Sequence, residues 1–446
     1  MNKTKIVCTI GPASESILTL TAMVEAGMNV ARLNFSHGDH ATHKHAIENI
    51  RKVSAKTGVP IAILQDLQGP KIRVEKVMQP PLAVSKGQQV VIGKDLTLDG
   101  KITKALKPKQ RILIEDGLIE LVVKKVLGKF VYCTAQSKGI IQARKGVNLP
   151  STVLKIPSLT PADIKDVMFG LAMDVDFVAL SFVRTGGDIR FLRKLIAEHN
   201  PKKFELPKIV AKIEKPEAVE NFDDILEEAD AIMVARGDLG VEISESDVPI
   251  IQKTIIQKCL RAAKPVIVAT HMLDSMIRNP RPTRAEVSDV ANAVIDHADC
   301  VMLSGESAFG SYPVESVKQM SRIIYATERS PFVPHHRNFL ERAVALGKGA
   351  AHSLSEVVGD LEAKVMVGIT LSGELARELS RERPPFTRII MLTPHAKLQR
   401  QLCLFWGTAS YVVPKSFSPK LIQNFVKKHK AVHKGEHLVI ARSDLP

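Results

Sequence analysis

The stretch Ile209-Val210-Ala211-Lys212-Ile213-Glu214 decides the fold of this 446-residue chain. Its apolar run lacks the polar alternation of a half-solvated strand, so it reads as a strand covered on both faces, the habit of parallel sheets. A second such run, Ala231-Ile232-Met233-Val234-Ala235, closes on Arg236-Gly237-Asp238. Two carboxylates and one ammonium therefore meet at neighbouring strand ends. Carboxylate oxygens suit Mg²⁺, which is readily shared with substrate phosphates, and a lysine beside it can neutralise charge developing on a reacting oxygen. Either segment alone reads equally well as a surface Lys–Glu pair or a turn aspartate, so the other strand ends must arbitrate.

Working outward, strand-like runs recur at Lys5–Ile10, Val30–Phe35, Ile61–Gln65, Phe177–Ser181, Val266–Thr270 and Cys300–Ser304. With the first two they make eight, separated mostly by stretches of helical periodicity, as a (β/α)₈ TIM barrel requires. Thr283 followed by Glu286 forms a capping box, and Pro216 and Pro313 stand where helices begin. Between Pro70 and Lys155 the rhythm changes to short strands, such as Gln89-Val90-Val91-Ile92 and Phe130-Val131-Tyr132-Cys133, with hardly any helical period. This predicts a small β-barrel lid inserted after the third strand, placed to exclude water from a reaction. After about Pro334, strands at Val365–Ile369, Ile389–Leu392, Tyr411–Val413 and Leu438–Ala441 alternate with helices, a doubly wound α/β domain. The fold class is thus α/β, with a barrel over 1–70 and 156–334, a lid over 71–155 and a C-terminal domain over 335–446.

A hydrophobic content of 45% allows large cores, and no apolar stretch approaches the ~20 residues that span a bilayer. Met1-Asn2-Lys3-Thr4 runs straight into the first strand without a signal-peptide core, so a cytoplasmic protein with no membrane partner is expected. The five cysteines, Cys8, Cys133, Cys259, Cys300 and Cys403, are scattered and never paired as Cys-x-x-Cys, which argues against disulfides and zinc. The net charge of +15 fits anionic substrates as well as nucleic acid. Basic residues occur along all segments, and where they thicken, at Lys427-Lys428-His429-Lys430, aromatic stacking platforms are lacking, so no nucleic-acid partner is expected.

In a barrel of this kind the working residues gather at the C-terminal strand ends. Polar groups recur there: Ala31-Arg32-Leu33-Asn34-Phe35-Ser36-His37-Gly38, Asp66-Leu67-Gln68-Gly69-Pro70-Lys71-Ile72-Arg73, Ser181-Phe182-Val183-Arg184, Ala269-Thr270-His271-Met272 and Leu303-Ser304-Gly305-Glu306. Together with the block Asn279–Asn292, which contains Arg281-Pro282-Thr283-Arg284-Ala285-Glu286, these motifs resemble pyruvate kinase over nearly the whole chain.

The resemblance implies transfer of phosphate from phosphoenolpyruvate to ADP, giving pyruvate and ATP, in a homotetramer using Mg²⁺ or Mn²⁺. Carried over motif by motif, Glu214 and Asp238 hold the metal, and Lys212 stabilises the migrating phosphoryl group and the enolate. Arg32 matches the substrate-phosphate arginine. Arg73, Lys145 and His37 match nucleotide contacts, while Gly237, Asp238 and Thr270 face the substrate. Thr270 lies where the enolate gains a proton, and Ser304 or Glu306 is a candidate to share that relay; a turn serine and a capping acid are the plain alternatives.

Two departures from the family pattern carry expectations of their own. Potassium-requiring members have Thr-Lys after the aspartate and an acid after Gly-Pro, whereas this chain has Leu67-Gln68 and Lys71. An ammonium there supplies the positive charge itself, so potassium is expected to be dispensable although Asn34, Ser36, Asp66 and Leu67 still match its ligands. The chain also stops at Pro446, short of the family's usual glycine-rich end, and Thr370–Gly373 is half of the family's sugar-phosphate effector site, so weak or absent activation is expected. Two rivals remain open: a metal-dependent lyase or aldolase on phosphoenolpyruvate or pyruvate, and a basic binding protein on a retired enzyme scaffold.

Overall fold

The computed structural model describes residues 2–150, 152, 156–200, 205–333, 350–384, 386–414, 419–429 and 436–442. The junctions expected at 155 and 334 therefore lie outside the described residues, as does Lys430 of the basic cluster.

Eight parallel strands close into a barrel in chain order: β1 (Lys5–Thr9), β2 (Met28–Asn34), β3 (Ala62–Asp66), β4 (Phe177–Leu180), β5 (Lys208–Ile213), β6 (Ala231–Ala235), β7 (Val266–Ala269) and β8 (Cys300–Leu303). All eight expected runs form strands, with ends moved by one or two residues. Alternate side chains of these strands split between two apolar sets, as the period of two dictates. Val7, Val30, Leu64, Ala179, Val210, Met233, Ile267 and Met302 fill the bore, whereas Ile6, Ile63, Val178 and Ile232 pack under the helices.

The expected helix starts hold. Thr283 and Glu286 form a reciprocal capping box on helix Arg284–Ile295, Pro216 opens Pro216–Glu220, and Pro313 opens Pro313–Glu328. The five cysteines are all buried and free. Burial pushes the Cys133 and Cys403 thiols up to about 12, so they behave as small apolar side chains.

Chain leaves β3 at Asp66 and returns to the barrel at Phe177. The intervening lid is a curled seven-stranded sheet with a separate two-stranded ribbon, around its own core of Val90, Ile92, Ile112, Leu121 and Val131. One short helix, Gly100–Ala105, stands where hardly any helical period was legible; Asp99 caps it by accepting from Lys101 N at 2.6 Å. Gly69 makes the exit turn: its φ is +68°, and a Cβ would lie 2.8 Å from the Phe182 ring, so a side chain is excluded twice over.

The C-terminal domain is a parallel four-stranded sheet of β9 (Val365–Ile369), β10 (Arg388–Thr393), β11 (Thr408–Val412) and β12 (Leu438–Arg442), ordered β11-β10-β9-β12. It closes the barrel's floor, where Leu404 and Cys403 join the bore's apolar set. Buried Lys5 donates to Thr408 O at 2.6 Å, and Arg383 pairs with Asp299 at 2.8 Å. Arg400 bridges Asp176 and Asp174 at 2.6 and 3.0 Å. The functional mouth is thereby left to the opposite end.

Candidate active site

Polar residues at the C-terminal strand ends converge on one carboxylate. Asp66, at the end of β3 and 1% exposed, receives Arg32 Nε on Oδ2 at 2.6 Å and faces Lys212 Nζ through Oδ1 at 3.1 Å. Arg32 Nη1 donates further to Thr9 Oγ1 at 2.8 Å. Lys212 donates to Ser181 Oγ at 2.7 Å, and that hydroxyl donates to Leu67 O at 2.7 Å. The ends of five strands thus fix two cations side by side, a preorganised seat for an anion.

Lys212 also forms an ion pair with Glu214 Oε1 at 2.7 Å, and that buried oxygen has no hydrogen-bond partner among the described residues. Glu214 Oε2 accepts from Phe182 N at 2.9 Å. Burial pulls the Lys212 pKa down, but Asp66 and Glu214 outweigh it and hold the group above its ordinary value, so it stays an ammonium. Burial likewise raises Glu214, which the nearby Asp238 reinforces and Lys212 opposes. For Asp66 burial acts upward, but Lys212 and Arg32 prevail and lower it.

Asp238 is half-buried in the first turn of helix Arg236–Glu242, directly after β6. The Oε1 of Glu214, ion-paired to Lys212, and the Asp238 carboxylate are hard oxygen donors, a set that fits Mg²⁺ or Mn²⁺ sharing its remaining positions with water and a phosphate. Gly237 N donates to Thr270 Oγ1 at 2.7 Å, and the Thr270 hydroxyl donates to Ala269 O at 2.6 Å. Thr270 and His271 both hold left-handed backbone, with φ of 69° and 54°. Such conformations persist only where surrounding contacts impose them.

A cleft of about 830 Å³ separates barrel and lid, lined by Gly237, Asp238 and Thr270 below and by Lys71, Arg111 and Asp116 above. Of the expected nucleotide contacts, Arg73 forms a lone antiparallel bridge with Gly146, Lys145 is ion-paired to Glu115, and His37 is exposed beyond β2. Ser304 Oγ is buried without a hydrogen-bond partner among the described residues. Glu306 receives Ser304 N and Leu273 N at 2.8 and 3.0 Å.

Sequence reading missed the hub role of Asp66 and the parts played by Thr9, Ser181 and Arg236. The signal was present: each stands at or next to the end of an apolar strand. Their mutual contacts run between strands far apart in the chain, so spacing did not reveal them.

Two family models match this chain, the pyruvate kinase barrel domain over residues 1–317 and the pyruvate kinase alpha/beta domain over 348–444. The chain belongs to the pyruvate kinase family. Among relatives, the pyruvate kinase of Clostridium acetobutylicum is 41% identical over 459 residues, covering 99% of this chain and 96% of that protein. The Sporosarcina psychrophila pyruvate kinase is 43% identical over 465 residues, covering 99% and 77%. A crystal structure of a pyruvate kinase from Cryptosporidium parvum superposes with a TM-score of 0.93 at 36% identity, covering 98% of this chain and 93% of that one. The chain is accordingly a phosphotransferase, built on the closed barrel, curled lid and C-terminal α/β domain of that family. No helix among the described residues is long and apolar enough to cross a membrane.

Proposed function

We propose that this chain transfers the phosphoryl group of phosphoenolpyruvate to ADP, giving pyruvate and ATP in glycolysis, and that it does so without potassium. The observation that carries the reading is the Asp66 hub, which holds Arg32 and Lys212 together as fixed cations. Arg32 seats the substrate phosphate. Lys212, kept charged by its carboxylate neighbours, lies beside the path of the phosphoryl group and then faces the enolate oxygen; cations set in advance lower the barrier without reorganising. Mg²⁺ or Mn²⁺ on Glu214 and Asp238 supplies further charge neutralisation on the transferring group. Gly237 presents its backbone to the substrate carboxylate beside Thr270. Arg73, Lys145 and His37 meet the nucleotide as the lid closes, which requires Lys145 to exchange Glu115 for phosphate.

The potassium prediction rests on charge and on occupied oxygens. Lys71 is exposed and lines the same cleft as Asp238. Asn34 Oδ1 accepts from Ser36 N at 3.1 Å, Leu67 O accepts the Ser181 hydroxyl, and both Asp66 oxygens face cations. A monovalent ion there would compete with donors and cations already facing these oxygens, while Lys71 supplies the charge. The units act as a catalytic barrel (1–70, 156–334), a lid (71–155) and a C-terminal domain (335–446) in a cytoplasmic homotetramer, which sedimentation would test.

The deciding experiment is ADP-dependent pyruvate release with Mg²⁺ in a buffer of organic cations. Full activity that barely rises on adding potassium is the expected result. A large rise overturns the potassium claim alone, whereas pyruvate release that ignores ADP means the phosphoryl group goes to water and overturns the reaction.

A further inference from the structure

Arg236 sits one residue before the substrate-facing Gly237 and lines the same cleft, yet its guanidinium is engaged by the protein's own carbonyls and Asp289. Its Nη2 donates to Thr270 O at 2.7 Å and reaches Met272 Sδ at 2.8 Å, while Nη1 pairs with Asp289 at 2.7 Å. Its Nε donates to Ala269 O at 3.3 Å, the same carbonyl oxygen that receives the Thr270 hydroxyl at 2.6 Å. Two donors therefore share one acceptor. The hydroxyl oxygen is meanwhile held by Gly237 N.

We infer that Arg236 is the positioning residue for proton delivery: by satisfying the Ala269 carbonyl, it lets the Thr270 hydroxyl swing its proton toward the substrate carbon. A buried carbonyl left with no donor costs roughly 1–3 kcal/mol, which would otherwise tie the hydroxyl down. The guanidinium fork suits the task because it presents several donors in one plane, so it can grip Thr270 O, Ala269 O and Asp289 together. That grip also supplies what the left-handed backbone at Thr270 and His271 needs to persist. When the carbon–oxygen–phosphorus linkage breaks at the O–P bond and the phosphoryl group passes to ADP, the enolate left behind takes a proton at its methylene carbon from the Thr270 hydroxyl. That hydroxyl recovers a proton from water.

The inference rests on the proposed reaction, and it separates two half-steps. ATP formation from phosphoenolpyruvate and ADP reads phosphoryl transfer. Uptake of deuterium at carbon 3 of pyruvate, in D₂O with Mg²⁺ and ATP, reads proton exchange. Arg236→Met should lower deuterium uptake about tenfold to a hundredfold more than it lowers ATP formation, a part of the roughly hundredfold to ten-thousandfold that a positioned acid–base group contributes. Arg236→Lys, which cannot hold both carbonyls and Asp289, should follow it. Asp289→Asn should show the same skew more weakly, and keeps the test alive if Arg236→Met fails to fold. Proportional loss of both activities in any folded variant, or no loss, overturns the inference. If the unmodified chain neither forms ATP nor exchanges pyruvate protons, the reaction itself has failed.

Discussion

Lid and barrel use lysine in opposite ways. Residues 71–155 carry 17 Lys and Arg against 6 Asp and Glu, whereas the barrel segments carry 28 against 32. The even spread of basic residues expected from the sequence is therefore not a spread of net charge, since the barrel's acids cancel its cations and the lid's do not. At the site the barrel's cations are held by carboxylates: buried Lys212 lies between Asp66 and Glu214, and half-buried Lys215 donates to buried Glu242 at 2.5 Å, which also accepts from Asn148 at 2.8 Å. Lid lysines such as Lys94, Lys124 and Lys129 are exposed. A fixed charge in low dielectric acts strongly at short range, and a solvated one acts weakly, at long range, and through salt.

The sharpest way to break this contrast is Lys212→Met. It should cut kcat by about a thousandfold or more, the scale of losing one preorganised charge donor, with little dependence on ionic strength. Rapid-quench measurement of ATP formed in a single turnover checks it; a loss that salt reproduces in the unmodified chain would erase the distinction between the two regions.

Asp66→Asn comes next, because it leaves Arg32 and Lys212 buried without their shared carboxylate. Breaking a buried ion pair from one side costs about 3–5 kcal/mol, read as a lowered urea midpoint, together with reduced kcat. The sign with pH is fixed by the lowered pKa of Asp66. Its contribution is fully present above the ordinary carboxylate pKa of about 4 and is lost as pH falls through the native value. The variant's stability should therefore decline less between pH 5 and 2 than that of the unmodified chain.

How far the sequence foretold this follows from the same physics. Eight strands were legible because a strand buried on both faces must be continuously apolar, and Lys212, Glu214 and Asp238 stood out as polar residues breaking such runs. Glu306 kept two readings, since a carboxylate at a helix start looks identical whether it caps or catalyses. The lid helix Gly100–Ala105 is too short to print a period. Seating of Cys403 and Leu404 in the barrel floor, and the grip of Arg236 on Thr270, depend on contacts between distant segments that no local pattern encodes.

Lys71→Glu tests the border of the two regions, since Lys71 is a lid-side cation lining the barrel's cleft. Reversing it should create a potassium requirement, with activity in organic-cation buffer falling about tenfold and returning on adding potassium. Ammonium and rubidium in place of potassium would separate a seated ion from general salt.

The smallest effect belongs to the lid's far end. Residue pairing sets Tyr132 opposite Lys125 and Phe130 opposite Leu127, and Lys109 N bonds Val123 O, so Lys109, Lys124, Lys125 and Lys129 share one end of the sheet. The other end holds Asp116, which faces the cleft. Replacing Lys124, Lys125 and Lys129 together with Glu should lower kcat/KM for phosphoenolpyruvate about threefold at 10 mM ionic strength, where the Debye length is ~30 Å, and leave kcat unchanged. At 0.15 M, with a screening length of ~8 Å, the difference should vanish. A deficit that persists in high salt would mean these lysines act by contact, and the lid would then resemble the barrel after all.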